Sequence, residues 1–111
     1  MNIKALNALN VLRRSLSDSV HELISATQEH DYSRASTAAH AIIGASLTAG
    51  ANALADFTKQ MKETLDTRDV LEAGRFAEKV AFAFERLGDK IDALHLESKG
   101  SVPDNDDSRR Q

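Results

Sequence analysis

The run Ala39-His40-Ala41-Ile42-Ile43-Gly44-Ala45-Ser46-Leu47-Thr48-Ala49-Gly50-Ala51 decides how the chain is built, because it reads as the end of one helix, a stop, and the start of another. At about 100° per residue, Ala35, Ala38, Ile42, Ala45 and Ala49 fall on one stripe of mostly small side chains that can close tightly on neighbouring helices. His40 falls on the opposite side, with Ser36, Thr37, Ile43, Gly44 and Leu47 around it. Upstream, Asp31 has the chemistry and place of an N-cap for a helix over Tyr32–Ala49. Gly50 ends that helix and Ala51 opens the next, so a helical hairpin stands at the centre of the chain.

Working outward, helix periodicity dominates on both sides. From Ile3 to about Gln28, Leu9, Leu12, Leu16, Val20, Leu23 and Thr27 recur at steps of three and four, which predicts a first helix with one core-facing stripe. After Gly50, Leu54, Phe57, Met61 and Leu65 mark a third helix over Ala51–Leu65, and Asp66-Thr67-Arg68-Asp69 reads as a capped turn. The fourth stripe is Ala73, Phe76, Val80, Phe84, Leu87, Ile91 and Leu94. Gly74 and Gly88 inside it each cost roughly 1 kcal/mol relative to Ala and read as tolerated surface glycines, with close helix packing as the alternative. Alternating β-branched runs with turn dipeptides do not occur. The expected fold is all-α: an antiparallel up-down four-helix bundle, long-short-short-long, over residues 1–97. Its outer helices should run ~40 Å. Residues 98–111 hold Val102 as their one large apolar side chain, and this composition predicts a disordered polar tail.

Composition narrows the function classes. A chain of 111 residues, 41% apolar, suits one domain. With no cysteine, disulfide, Fe–S and thiolate-zinc chemistry are excluded. No apolar stretch is long enough to span a membrane, and Met1-Asn2-Ile3-Lys4 lacks the apolar block of a secretory signal, so the expected location is the cytoplasm. The formal charge is −3, from 14 Lys+Arg against 17 Asp+Glu with both signs scattered. Of the five aromatic residues, Tyr32, Phe57, Phe76, Phe82 and Phe84, none reads as placed among basic residues in the way a base-stacking platform requires. No nucleic-acid partner is therefore expected. Glu-x-x-His and His-x-x-x-His pairs are absent from the sequence, so no metal centre is expected. Nor is there a Gly-rich nucleotide loop that would signal autonomous kinase activity.

Among the four histidines, His40 has the distinctive setting. Gly44 stands one turn beyond it on the same side, in a helix interior where glycine is unfavourable by roughly 1 kcal/mol. The physical gain is space: without a Cβ there, another protein's loop can approach the imidazole. His21, His30 and His95 have no such neighbour. His21 precedes Glu22, and His30 falls at a helix end, where an imidazolium suits the dipole.

His40, Gly44, Gly50 and Ala51 together resemble the signature of histidine-containing phosphotransfer (Hpt) domains. That family carries a His, a Lys three residues on, a Gly four on, and a Gly-Ala pair ten and eleven on that starts the next helix. The resemblance covers roughly residues 3–97, and the chain departs from it at Ile43, where the family usually has Lys. It implies a phosphohistidine carrier, with His40 exchanging a phosphoryl group with the aspartates of response-regulator receiver domains in a relay with a hybrid sensor histidine kinase. No cofactor is then expected, Mg²⁺ being supplied by the receiver. Ser36, Ile43, Gly44 and Leu47 would give access and docking, with Ile43 and Leu47 contributing about 1 to 2 kcal/mol each if buried by a partner. Because the hairpin turns at Gly50, Lys59 and Lys62 lie about level with His40, and either could partner the imidazole or its phosphate in place of the missing lysine. The alternative is a degenerate Hpt bundle or helical adaptor that binds a receiver or kinase without carrying phosphate.

Overall fold

The computed structural model describes residues 3–100, with side chains described for residues 3–97. Four helices follow one another: α1 (Ile3–Gln28), α2 (Tyr32–Ala49), α3 (Asn52–Asp66) and α4 (Val70–Gly100). Among the described residues the backbones of α1 and α2, α2 and α3, α3 and α4, and α4 and α1 lie side by side, and those of the two diagonal pairs stand further apart. The helices therefore form a closed square, drawn out to 56 × 23 × 18 Å. No described helix is long and apolar enough to cross a membrane. The tail expected beyond Glu97 lies, from Ser101 onward, outside the described residues.

Each buried stripe follows the period that the sequence dictates. Leu16, Val20 and Leu23 of α1, Ile42 of α2, Leu54, Met61 and Leu65 of α3, and Val80 of α4 are almost wholly buried in one core. At about 1.5–3 kcal/mol for each large apolar side chain removed from water, these positions carry most of the fold's driving force. The alanines of α2 let the neighbouring helices come close: Ala35, Ala38 and Ala39 are buried, and Ala45 packs against the core from its edge. Leu9, Phe57, Phe76 and Phe84 are half-buried, at the margins of the stripes where the sequence predicts full burial.

The three connections repeat one device. His30, Gly50 and Arg68 take left-handed backbone conformations, with φ of 58°, 73° and 60°. In each case the following N–H reaches back five residues: Asp31 to the Ala26 carbonyl at 2.8 Å, Ala51 to Ser46 at 2.8 Å, and Asp69 to Thr64 at 3.1 Å. That bond satisfies a helix-end carbonyl that would otherwise be unpaired. The same following residue then caps the next helix, and two of the three use a carboxylate. Asp31 accepts from the Arg34 N–H at 3.2 Å, and Asp69 from the Glu72 N–H at 3.1 Å. Ala51 makes no such side-chain bond, and α3 starts one residue later than its hydrophobic pattern predicts. Arg68 also lies 4.7 Å from the centroid of the Tyr32 ring, tying together the two connections at that end of the bundle.

Two expectations need correction. Gly88 is buried rather than a surface glycine: a Cβ there would come within 2.7 Å of the Arg13 guanidinium, which crosses it to reach Asp92 Oδ1 at 2.7 Å. Arg13 thereby holds the Asp92 carboxyl below the usual carboxylate range. Nor do the aromatic rings stand apart from basic groups. Lys79 Nζ is 4.8 Å from the Phe76 centroid, and the Arg86 guanidinium carbon is 5.9 Å from that of Phe82. The helix brings together residues three and four apart, a proximity that scanning the chain for charge clusters overlooks.

Candidate functional site

The site lies on the outer face of α2, whose entry is fixed by charge. Arg34 grips Glu22 of α1 with two hydrogen bonds, Nε to Oε2 and Nη2 to Oε1, both 2.8 Å, and reaches Glu29 Oε1 at 2.7 Å. The paired guanidinium lowers the Glu22 pKa. This clamp sets the direction in which α2 leaves its cap, six residues before His40.

His40 is exposed, and its imidazole makes no hydrogen bond or ion pair with another described residue. Both ring nitrogens are therefore open to an incoming group. Gly44 is exposed one turn away, and a Cβ built on it would meet nothing within 4 Å. Packing inside this molecule thus gives no return for the helix-propensity cost of Gly44. Ala41, also exposed, adds only a methyl beside the ring. Its angle on the helical wheel places it there. Nearby hydroxyls turn inward: Thr37 donates to the Ser33 carbonyl at 3.1 Å and Thr48 to that of Gly44 at 3.0 Å. The surface around His40 is low, uncharged and partly apolar.

The other sequence-predicted residues divide between this surface and its α3 flank. Leu47 is 51% exposed on the same face. Ile43 and Ser36 are half-buried on the side of α2 that turns towards α3, so Ile43 offers a partner less apolar surface than its expected exposure implies. Ser36 and Thr37 also line a groove of about 820 Å³ that runs to the His30 and Arg68 connections. On α3, the helical period puts Lys59 and Lys62 on the flank turned towards α2, beside buried Ala55. Lys62 is half-buried and Lys59 exposed. Neither makes a hydrogen bond or ion pair with another described residue, so the structure leaves both ammonium groups uncommitted and joins neither to His40.

The remaining histidines differ from His40 in their commitments. His21 is exposed, with Nδ1 2.8 Å from the Ser17 carbonyl oxygen. His30 is held in the left-handed turn, its ring 6.4 Å from that of Tyr32. His95 has a buried Nδ1 with no partner among the described residues.

A family model for the Hpt domain matches residues 7–97. The chain belongs to the Hpt domain family. Searches of curated proteins and of solved structures each found no significant match. Family membership assigns this Hpt domain, in general terms, to histidine phosphotransfer in two-component phosphorelays. The matched segment includes the whole of α2 and α3, and with them His40, Gly44 and the Gly50-Ala51 turn.

Proposed function

We propose that this Hpt domain is a phosphohistidine carrier whose phosphoacceptor is His40, exchanging a phosphoryl group with receiver-domain aspartates. The observation that carries the reading is Gly44: a destabilising residue, uncovered within its own molecule, one turn from an unbonded exposed imidazole. Only an approaching partner can use that space. The His40 Nε2 lone pair attacks phosphorus in line, the P–N bond forming as the P–O bond to the aspartyl carboxylate breaks, and the carboxylate leaves with the electron pair. Mg²⁺ and most of the charge stabilisation belong to the receiver, so the chain's own contribution is to position a nucleophile.

Ile43 removes the lysine that usually stands beside the phosphoryl group. In this reading Lys62, half-buried on the α2-facing flank of α3, supplies the missing charge, with Lys59 as the more solvated substitute. Ile43 in turn strengthens docking alongside Leu47. Ile43→Lys should weaken receiver binding and lengthen the phosphohistidine lifetime; no change in either quantity refutes that exchange of roles. The same Ile43 favours the second reading, a degenerate module that docks receivers without carrying phosphate.

One experiment separates the two. The full chain is incubated with phosphorylated receiver domains, and acid-labile, base-stable label is followed in wild type and His40→Gln. Label lost in His40→Gln is the result expected of a carrier. Receiver binding with no label on wild type supports the degenerate module.

A further inference from the structure

α4 sorts its charges by flank. By helical period, Glu85 and Asp92 lie towards the α1 side and Lys79, Arg86 and Lys90 towards α3, with Arg75, Glu78 and Asp89 on the outer face between them. Counted from Arg75, the basic strip extends about 22 Å along the helix. Arg75 is paired with Glu72 at 2.8 Å, but Lys79, Arg86 and Lys90 have no carboxylate partner among the described residues. Aromatic rings lie among them: Phe76 faces Lys79, and Phe82, 60% exposed, faces Arg86. Phe57 of α3 completes a groove of about 380 Å³, lined by Phe57, Arg75, Glu78, Lys79 and Phe82. Phe82 points away from the buried stripe of α4, so the core does not account for a ring of that size at this position.

We propose that the α3/α4 face is a second docking surface, whose occupant is an acidic amphipathic helix of a partner protein. Its apolar side chains would cover Phe82 and Phe57, and its carboxylates would meet Lys79, Arg86 and Lys90. Charge complementarity selects this occupant. On a chain of net charge −3, three unpaired bases in a row attract a narrow acidic segment, and the row of Glu78, Glu85 and Asp89 beside them repels anything broader and acidic. A nucleic-acid backbone, which spreads phosphate over a wider track, would meet those carboxylates as well. α3 stands between this face and the outer face of α2, so both can be occupied at once. A partner held here would raise the effective concentration of a receiver at the His40 face. The surface stands on its own observations and does not depend on the phosphocarrier reading.

The test uses the full chain and three labelled probes: a synthetic Leu/Glu amphipathic helix, its Leu/Lys counterpart, and a single-stranded oligonucleotide. Amide shifts locate binding and fluorescence anisotropy measures it. The Leu/Glu helix should shift Phe57, Lys79, Phe82 and Arg86 and leave His40 and Gly44 in place. Lys79→Glu with Arg86→Glu, or Phe82→Ser alone, should lower its affinity about tenfold or more, with far-UV circular dichroism unchanged because these side chains lie outside the core. Absence of binding, equal affinity for the Leu/Lys helix, tighter binding of the oligonucleotide, or shifts centred on His40 would each overturn the proposal.

Discussion

Gly44 on α2 and Gly88 on α4 carry the same intrinsic cost, about 1 kcal/mol relative to Ala, yet they occur for opposite reasons. At the α1/α4 seam the space is filled from within, because the Arg13 guanidinium lies across Gly88 on its way to Asp92. On the outer face of α2, a Cβ at Gly44 would meet nothing. A helical glycine therefore points to function only when the space above it is empty and a reactive group stands beside that space. Gly50 is a third case, set by backbone conformation rather than space, with φ 73° at the α2–α3 turn.

Substitutions can break this comparison, and the largest effect should come at Gly44. Gly44→Leu should leave the fold intact and raise thermal stability slightly through helix propensity, while slowing phosphoryl transfer from a receiver by about 100-fold, the scale of loss when a nucleophile is displaced from its approach line. Unchanged transfer rates would show that the open space has no role. Gly50→Ala should act on stability alone, lowering it by about 1–2 kcal/mol in chemical denaturation, because a Cβ is strained in the left-handed region.

Gly88→Ala should have the smallest effect. The atom in the way is the far end of a flexible side chain, so Arg13 swings aside and the gain in helix propensity roughly offsets the loss of a half-exposed ion pair, leaving a net change under about 1 kcal/mol. Its signature is in acid. Arg13 lowers the Asp92 pKa in the folded state, so the pair's contribution is fully present above the unfolded aspartate value, about 3.9, and is lost as pH falls through the lower folded value. Gly88→Ala should flatten that acid limb in denaturation curves collected across low pH, whereas Gly44→Leu should leave it as it is.

Much of this was legible in the sequence where one residue type answers one physical demand. The leucine and alanine stripes gave the helix faces, and Asp31 and Gly50 gave the ends of α2. The left-handed turns at His30 and Arg68 were not legible, because no glycine marks either position; the backbone bonds of Asp31 and Asp69 hold the conformation. Ile43 is half-buried because α3 covers one side of α2, which a wheel drawn for a single helix cannot show. Gly88 was misread for a similar reason: the group that fills its space comes from Arg13, 75 positions earlier in the chain. The pairing of Phe76 with Lys79 and Phe82 with Arg86 was hidden by sequence spacing and appears once the helix turns.

The central claim is that the setting of His40, rather than exposure alone, makes it the phosphoacceptor. His21 and His30 are also exposed, so they serve as internal controls. The most direct measurement is the distribution of phosphohistidine among His40, His21 and His30 after the full chain meets phosphorylated receiver domains, mapped by fragment mass spectrometry at alkaline pH. The account predicts label at His40 and none at the other two. Label spread over the exposed histidines, or receiver binding that leaves His40 unlabelled, would contradict it.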